Sequence, residues 1–262
     1  MVKVLVVHYI FFVLFFSLTS ILHAQFSWGN KPFVVQTSLK QIIAYHIPYQ
    51  ETLMQLTQDR LVEYQLMNDK PHELHIRSQV KNLKGKVIAF GQEQLFDSNK
   101  RDSLSDGEKT LIDSMLQPSI QIVSATGNSK TNQIASLSFE PEDIRKFFLA
   151  NQYRNVNTAF SWKDSTTMDS SKSVYECTFL RKQIDTIQVH VFATHQIKNT
   201  IKQGDQVISQ VLKGVEQSMR YYNSKTGILM KEQRLIQFEG IAESQNTRFP
   251  VSVKLESILR SE

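Results

Sequence analysis

Apolar and polar residues alternate at period two in several long runs, and this pattern constrains the chain more than any other feature. Leu74, Ile76 and Val80 share one parity, while Glu73, His75, Arg77, Gln79 and Lys81 hold the other. Ile187, Val189, Val191 and Ala193 alternate with Gln188, His190, Phe192 and Thr194. Near the end, Phe249, Val251, Val253, Leu255 and Leu259 alternate with Arg248, Ser252, Lys254 and Glu256. Successive side chains on a strand point to opposite faces, so each run predicts a strand with one face packed and one wet. That is how antiparallel sheets behave. The expected fold class is mainly β, an antiparallel sandwich or curved half-barrel with two or three short covering helices. Residues 36–47 carry helical spacing (Leu39, Ile42, Ile43, Ile47) and strand formers together; strand is preferred.

Turn residues punctuate these runs. Asn68-Asp69-Lys70-Pro71, Lys84-Gly85-Lys86, Lys202-Gln203-Gly204-Asp205 and Asn223-Ser224-Lys225-Thr226-Gly227 each read as a reversal. The last predicts a tight hairpin between two long strands, because Gly227 takes positive φ at little cost. Two helices interrupt the strands. One spans about Asp106 to Leu116, with Ser105 as N-cap, Glu108 completing a capping box, and Leu111, Ile112, Met115 and Leu116 as its stripe. The other spans Pro141 to Ala150, opened by Pro141 with Glu142 and Asp143 in the first turn. Its apolar stripe is Ile144, Phe147 and Phe148. Ser161 to Ser173 is rich in Ser, Thr, Asp and Lys after Trp162 and reads as a turn or exposed loop joining two halves. An aromatic-polar-Ser turn occurs in each half, Phe96-Asp97-Ser98 and Tyr222-Asn223-Ser224.

The first residues give an address. Lys3 precedes an apolar run from Val4 to Leu22, and His23-Ala24 leads into Gln25, a secretory signal pattern. Residues 1–24 are therefore expected to be a signal peptide and 25–262 a single β-rich domain, with two lobes joined near 152–173 as a variant. Leu22 stands where such sites prefer a small residue, so an uncleaved anchor stays open. Without a second long apolar run, the cleaved protein is not expected to be integral to a membrane.

The formal charge of +5 comes from scattered basic residues with acids nearby. Nucleic-acid binding needs Lys and Arg gathered on one face, so no nucleic-acid partner is expected. A solvated surface is the plain reading, with attraction to anionic membranes or glycans as the minor one. Cys177, the only cysteine, shares parity with Tyr175 and Phe179 and reads as a small buried hydrophobe.

No catalytic constellation stands out. His72 and His75 fall on opposite faces of a strand; His190 lies on the polar parity of its strand and His195 on the opposite parity near its end, and both read as exposed strand residues without a metal role. Glu140, Glu142 and Asp143 are explained by helix initiation. There is no G-x-S-x-G elbow, phosphate-cradling glycine loop or H-E-x-x-H. Catalytic residues, metal and cofactor are each expected to be none. Phe192 lies on the wet parity of its strand. If the sheet curls, that face could meet the helix bearing Ile144, Phe147 and Phe148 and form an apolar cavity; these four are the ligand-binding candidates.

In the order of apolar leader, amphipathic strands, Phe96-Asp97-Ser98, capped helix, Phe139 to Trp162, and the Asn223 to Gly227 hairpin, the chain resembles an uncharacterised family of exported bacterial proteins. More loosely it is similar to the half-barrel of periplasmic lipoprotein carriers. The resemblance implies location in the periplasm, at the cell surface or outside the cell, and brings no active residues. The reading reached is a non-enzymatic envelope protein binding a partner protein or an apolar or lipid ligand. The alternative is a hydrolase of envelope or extracellular polymers.

Overall fold

The computed structural model describes residues 32–47, 50–70, 73–89, 91–124, 128–131, 144–149, 151–154, 158–168, 171–203, 206–244 and 247–261. The expected signal segment, residues 1–24, lies outside them. The expected alternation becomes long strands: β1 (Phe33–Ile47), β2 (Gln50–Lys70) and β3 (Glu73–Ala89) form an antiparallel meander. Shorter strands follow, β4 (Gln92–Asp97), β5 (Ser119–Ser124), β6 (Asn128–Thr131) and β7 (Ser161–Met168). Then come β8 (Ser171–Lys182), β9 (Thr186–Gln203), β10 (Gln206–Asn223), β11 (Leu229–Ser244) and β12 (Thr247–Ser261).

All belong to one sheet, ordered β2-β1-β12-β11-β10-β9-β8-β7-β6-β5-β3-β4, and β2 also pairs with β3. That extra pairing bends the sheet round on itself, which selects the curved form over a two-sheet sandwich. It is not a closed barrel. Between β6 and β7 the ladder thins to two parallel residue pairs, Asn128 with Thr167 and Ser129 with Met168. Helix α1 (Asp106–Leu116) has the expected bounds and packs Ile112 into the core beside β3.

The inner face holds the core in two clusters. One gathers Phe33, Phe147, Tyr175, Phe179, Ile187, Val189 and Tyr222 at the end of the sheet bearing the β10–β11 hairpin. The other gathers Leu39, Ile43, Leu56, Leu212, Ile236, Phe238 and Val253 further along the strands. Burial of each such side chain stabilises the fold by roughly 1.5–3 kcal/mol. Cys177 is buried between Tyr175 and Phe179, as its parity predicts.

Three expectations need correction. Lys84-Gly85-Lys86 is not a turn but the middle of β3. Gly85 is there because a Cβ would lie 2.1 Å from the Thr57 carbonyl oxygen and 2.8 Å from the Phe96 ring. Ser161 to Met168 is strand, not loop, since β8 offers it a complete antiparallel partner and exposed hydroxyls suit its wet face. Finally, the helix expected from Pro141 to Ala150 is described only from Ile144, where a 3-10 turn covers Ile144–Phe147. Phe148 leaves the helical path to bridge Ile228, and a short helix, α2 (Asn151–Arg154), follows. Sheet pairing outcompetes the helical stripe.

The Asn223 to Gly227 turn forms as expected. Asn223 Oδ1 accepts from the Lys225 and Thr226 N–H groups, each at 2.9 Å. Asp97 does the same for Asn99 at 2.9 Å, so the aromatic-polar-Ser signal marks one kind of local turn in both halves. Gly227 has φ of 73°, and a Cβ there would sit 2.7 Å from the Leu149 carbonyl oxygen. Gly227→Val is therefore expected to cost about 1–3 kcal/mol through backbone strain and the displaced segment. Chemical denaturation measures it, and a loss below about 0.5 kcal/mol would contradict the assigned turn.

Candidate functional site

Two features of the sheet could carry function: a belt of buried charge on the inner face and a groove on the outer one. The belt lies between the two apolar clusters. On β10, Glu216, Ser218 and Arg220 point inward, and on β11 Glu232 and Arg234 do the same. His195 on β9, Ser173 on β8 and Ser257 on β12 extend the belt sideways. Lys146 joins it from the 3-10 turn.

Glu232 holds two cations at once. Its Oε1 accepts from Arg220 Nε at 2.7 Å, and its Oε2 accepts from Lys146 Nζ at 2.9 Å. Glu216, only 1% exposed, meets His195 Nε2 at 3.1 Å and accepts from Ser218 Oγ at 3.0 Å. Arg220 and Arg234 lie 3.6 and 3.9 Å from its carboxylate. Burial by itself would push both carboxyls up. For Glu216 the His195 hydrogen bond and the two guanidinium groups overcome burial and hold it down at about 2. Glu232 is likewise held well below the ordinary carboxylate range by Lys146, Arg220 and Arg234. Burial pushes the Tyr222 hydroxyl up, and that hydroxyl donates to the Lys146 carbonyl oxygen at 2.9 Å.

His195 is thus not the exposed residue that was expected; it is buried. It shares parity with Val189, Val191 and Ala193, and that parity was the signal to follow. Its Nδ1 lies 2.8 Å from Ser173 Oγ. Ser173, His195 and Glu216 therefore form a chain with the residue types of a hydrolytic triad. All three are sealed in the sheet, and the residues on either side of Ser173 are paired with neighbouring strands. With Ser173, His195 and Glu216 all buried, the cluster reads as a structural clamp. Among the described residues no three His, Cys, Asp or Glu side chains gather as metal ligands.

The outer face carries an open groove of about 580 Å³. Its floor consists of two neighbouring rows of side chains crossing six strands. In one, His190, Met219, Gln233, Ile258, Ser38 and Asp59 stand side by side from β9 to β2. In the next, Gln217, Leu235, Glu256, Lys40 and Thr57 do the same from β10 to β2. The apolar part is Met219, Leu235 and Ile258. Polar groups flank it: His190 at one end, and at the other Lys40 with Asp59, which accepts from Ser38 Oγ at 2.6 Å.

Of the four candidate ligand residues, the structure unites two. Phe147 is buried against Phe33 and Tyr64, with ring centroids 5.5 and 5.0 Å away. Phe148 lies 6.4 Å from Phe33 in the same cluster. The Ile144 side chain lies outside the described set. Phe192 stands on the opposite face, 38% exposed, as the cross-strand partner of Gln217 at the groove margin. Phe147 and Phe192 do not meet.

No protein-family model and no curated protein matches the sequence. Among solved structures, the chain is similar to lipovitellin, in a structure concerned with lipid–protein interactions. The identity is 8% and the TM-score 0.49, covering 90% of this chain and 25% of that one. The chain thus spans a quarter of the length of that neighbour. The fold places the molecule among open, strongly curved antiparallel sheets. No helix among the described residues is long and apolar enough to cross a membrane.

Proposed function

We propose that this chain is an exported, non-enzymatic envelope protein that binds an elongated apolar or amphipathic ligand in the groove on its outer face. The carrying observation is the groove itself, where Met219, Leu235 and Ile258 form an apolar strip flanked by the polar His190, Lys40 and Asp59. Its volume of about 580 Å³ lies within the rough 300–1,000 Å³ range of small-molecule sites. Six strands at about 4.8 Å spacing give a floor roughly 24 Å long, which suits an extended chain over a compact ring. The inner face is occupied by its own core and charge belt, so the ligand is taken outside. Export rests on the apolar run Val4 to Leu22 and the Ala24-Gln25 junction.

Titration of the mature protein with a fluorescent acyl-chain probe tests this reading. Leu235→Asp places a carboxylate on the groove floor and is expected to weaken binding by about tenfold or more. Val211→Asp, on the same face outside the groove, should leave Kd within about twofold. Equal affinities in all three proteins, or no saturable binding, would overturn it.

A further inference from the structure

A second surface lies at the end of the sheet, where the β8–β9 and β10–β11 turns stand side by side. Ile184, at the tip of the first, is 91% exposed, and Leu180 just before it is also exposed. A lone exposed isoleucine is ordinary on a protein surface. This one is held rigidly: Ser224 Oγ donates to the Ile184 carbonyl oxygen at 2.9 Å and Ser224 N–H to that of Asp185 at 3.0 Å. Gln183 N–H donates to Thr186 across the tip at 2.7 Å.

The tip is also ringed by cations. Lys182 Nζ donates to the Arg154 carbonyl oxygen at 2.9 Å, and Arg154 Nη1 donates to that of Lys225 at 2.6 Å. These bonds gather Arg154, Lys182 and Lys225 at one edge, with the exposed Arg181 beside them. Asp185, 3.6 Å from Lys225, is the acid paired with this group among the described residues. The surface therefore joins a projecting, rigid apolar wedge to a collar of four cations and one paired acid.

We propose that this tip docks the protein on an anionic lipid bilayer. Ile184 and Leu180 enter the headgroup boundary while Arg154, Arg181, Lys182 and Lys225 meet lipid phosphates. A basic collar supplies the charge complementarity, and an apolar wedge adds burial that a purely electrostatic contact lacks. The inference is independent of what the outer groove binds.

Co-sedimentation of the mature protein with vesicles tests it, using phosphatidylcholine alone and phosphatidylcholine with one part in three phosphatidylglycerol. Sedimentation is expected with the anionic vesicles alone and should fall as salt is raised. Reversing Arg181 and Lys182 to Glu should weaken it by several hundredfold, since each reversal shifts two charges at about fivefold apiece near the surface. Ile184→Asp should weaken it about tenfold. Lys213→Glu, on the outer face of β10, should leave it within about twofold. Every substitution is at an exposed residue, and unchanged circular dichroism confirms the fold. Equal sedimentation with both vesicle types would overturn the proposal, as would tip variants that bind like wild type. Loss on charge reversal with Ile184→Asp unaffected would indicate a purely electrostatic contact with no entry of the apolar wedge and would overturn it too.

Discussion

Glu232→Gln is expected to lower the stability of the fold by about 3–5 kcal/mol, the cost of breaking a buried ion pair by removing one partner. The carboxylate sits between Arg220 Nε and Lys146 Nζ, at 2.7 and 2.9 Å, with no water-exposed surface to soften the loss. Glutamine keeps the shape and one acceptor, but leaves both cations short of negative charge in a desolvated site. Lys146 is the only one of the three from outside the sheet, so its position should respond most. The second variant, Lys146→Met with Glu232→Gln, removes one stranded cation and should recover part of the loss. Guanidinium denaturation of both proteins measures the difference. A loss below about 1 kcal/mol for Glu232→Gln would mean that the belt is open to water.

Acid is expected to act through the same belt. The Glu216 carboxyl is held at about 2 in the fold against an ordinary 4.5, and Glu232 lies lower still. A carboxyl depressed in the folded state binds protons more readily once unfolded. Its stabilisation is therefore complete above about pH 4.5 and drains away as pH falls toward the folded value. At about 1.4 kcal/mol per unit, Glu216 alone accounts for roughly 3 kcal/mol of this. The urea midpoint should drop steeply between about pH 4.5 and 2. Glu216→Gln should start lower and fall less steeply. A midpoint flat across that interval would contradict the assignment of charged carboxylates to the interior.

Much of the sheet was legible because one-sided burial writes a period of two into strands such as Ile187 to Ala193. The tight turn at Asn223 to Gly227 was legible for a local reason: its hydrogen bonds and positive φ lie within the segment. The charge belt was harder to see. On β10 the residues that look like a packed face, Val207, Val211 and Val215, are exposed, while Glu216 and Arg220 are buried. Parity assigns faces correctly only where hydrophobicity decides burial; here partners on β9, β11 and the 3-10 turn decide it. β11 did carry a usable signal, since Glu232 and Arg234 share parity with Ile236 and Phe238. Gly85 misled as a turn because close approach of β2 and the Phe96 ring, not chain reversal, demands it. The outer groove was beyond reach for a different reason. It depends on the cross-strand alignment of six strands far apart in sequence, which no single segment encodes.

Native mass spectrometry of the protein, purified gently from its own cells alongside Leu235→Asp, is the measurement to make first. The groove reading predicts a stoichiometric adduct on the wild-type protein, recoverable by organic extraction, and its loss from Leu235→Asp. An adduct carried equally by both proteins, or by neither, would contradict it.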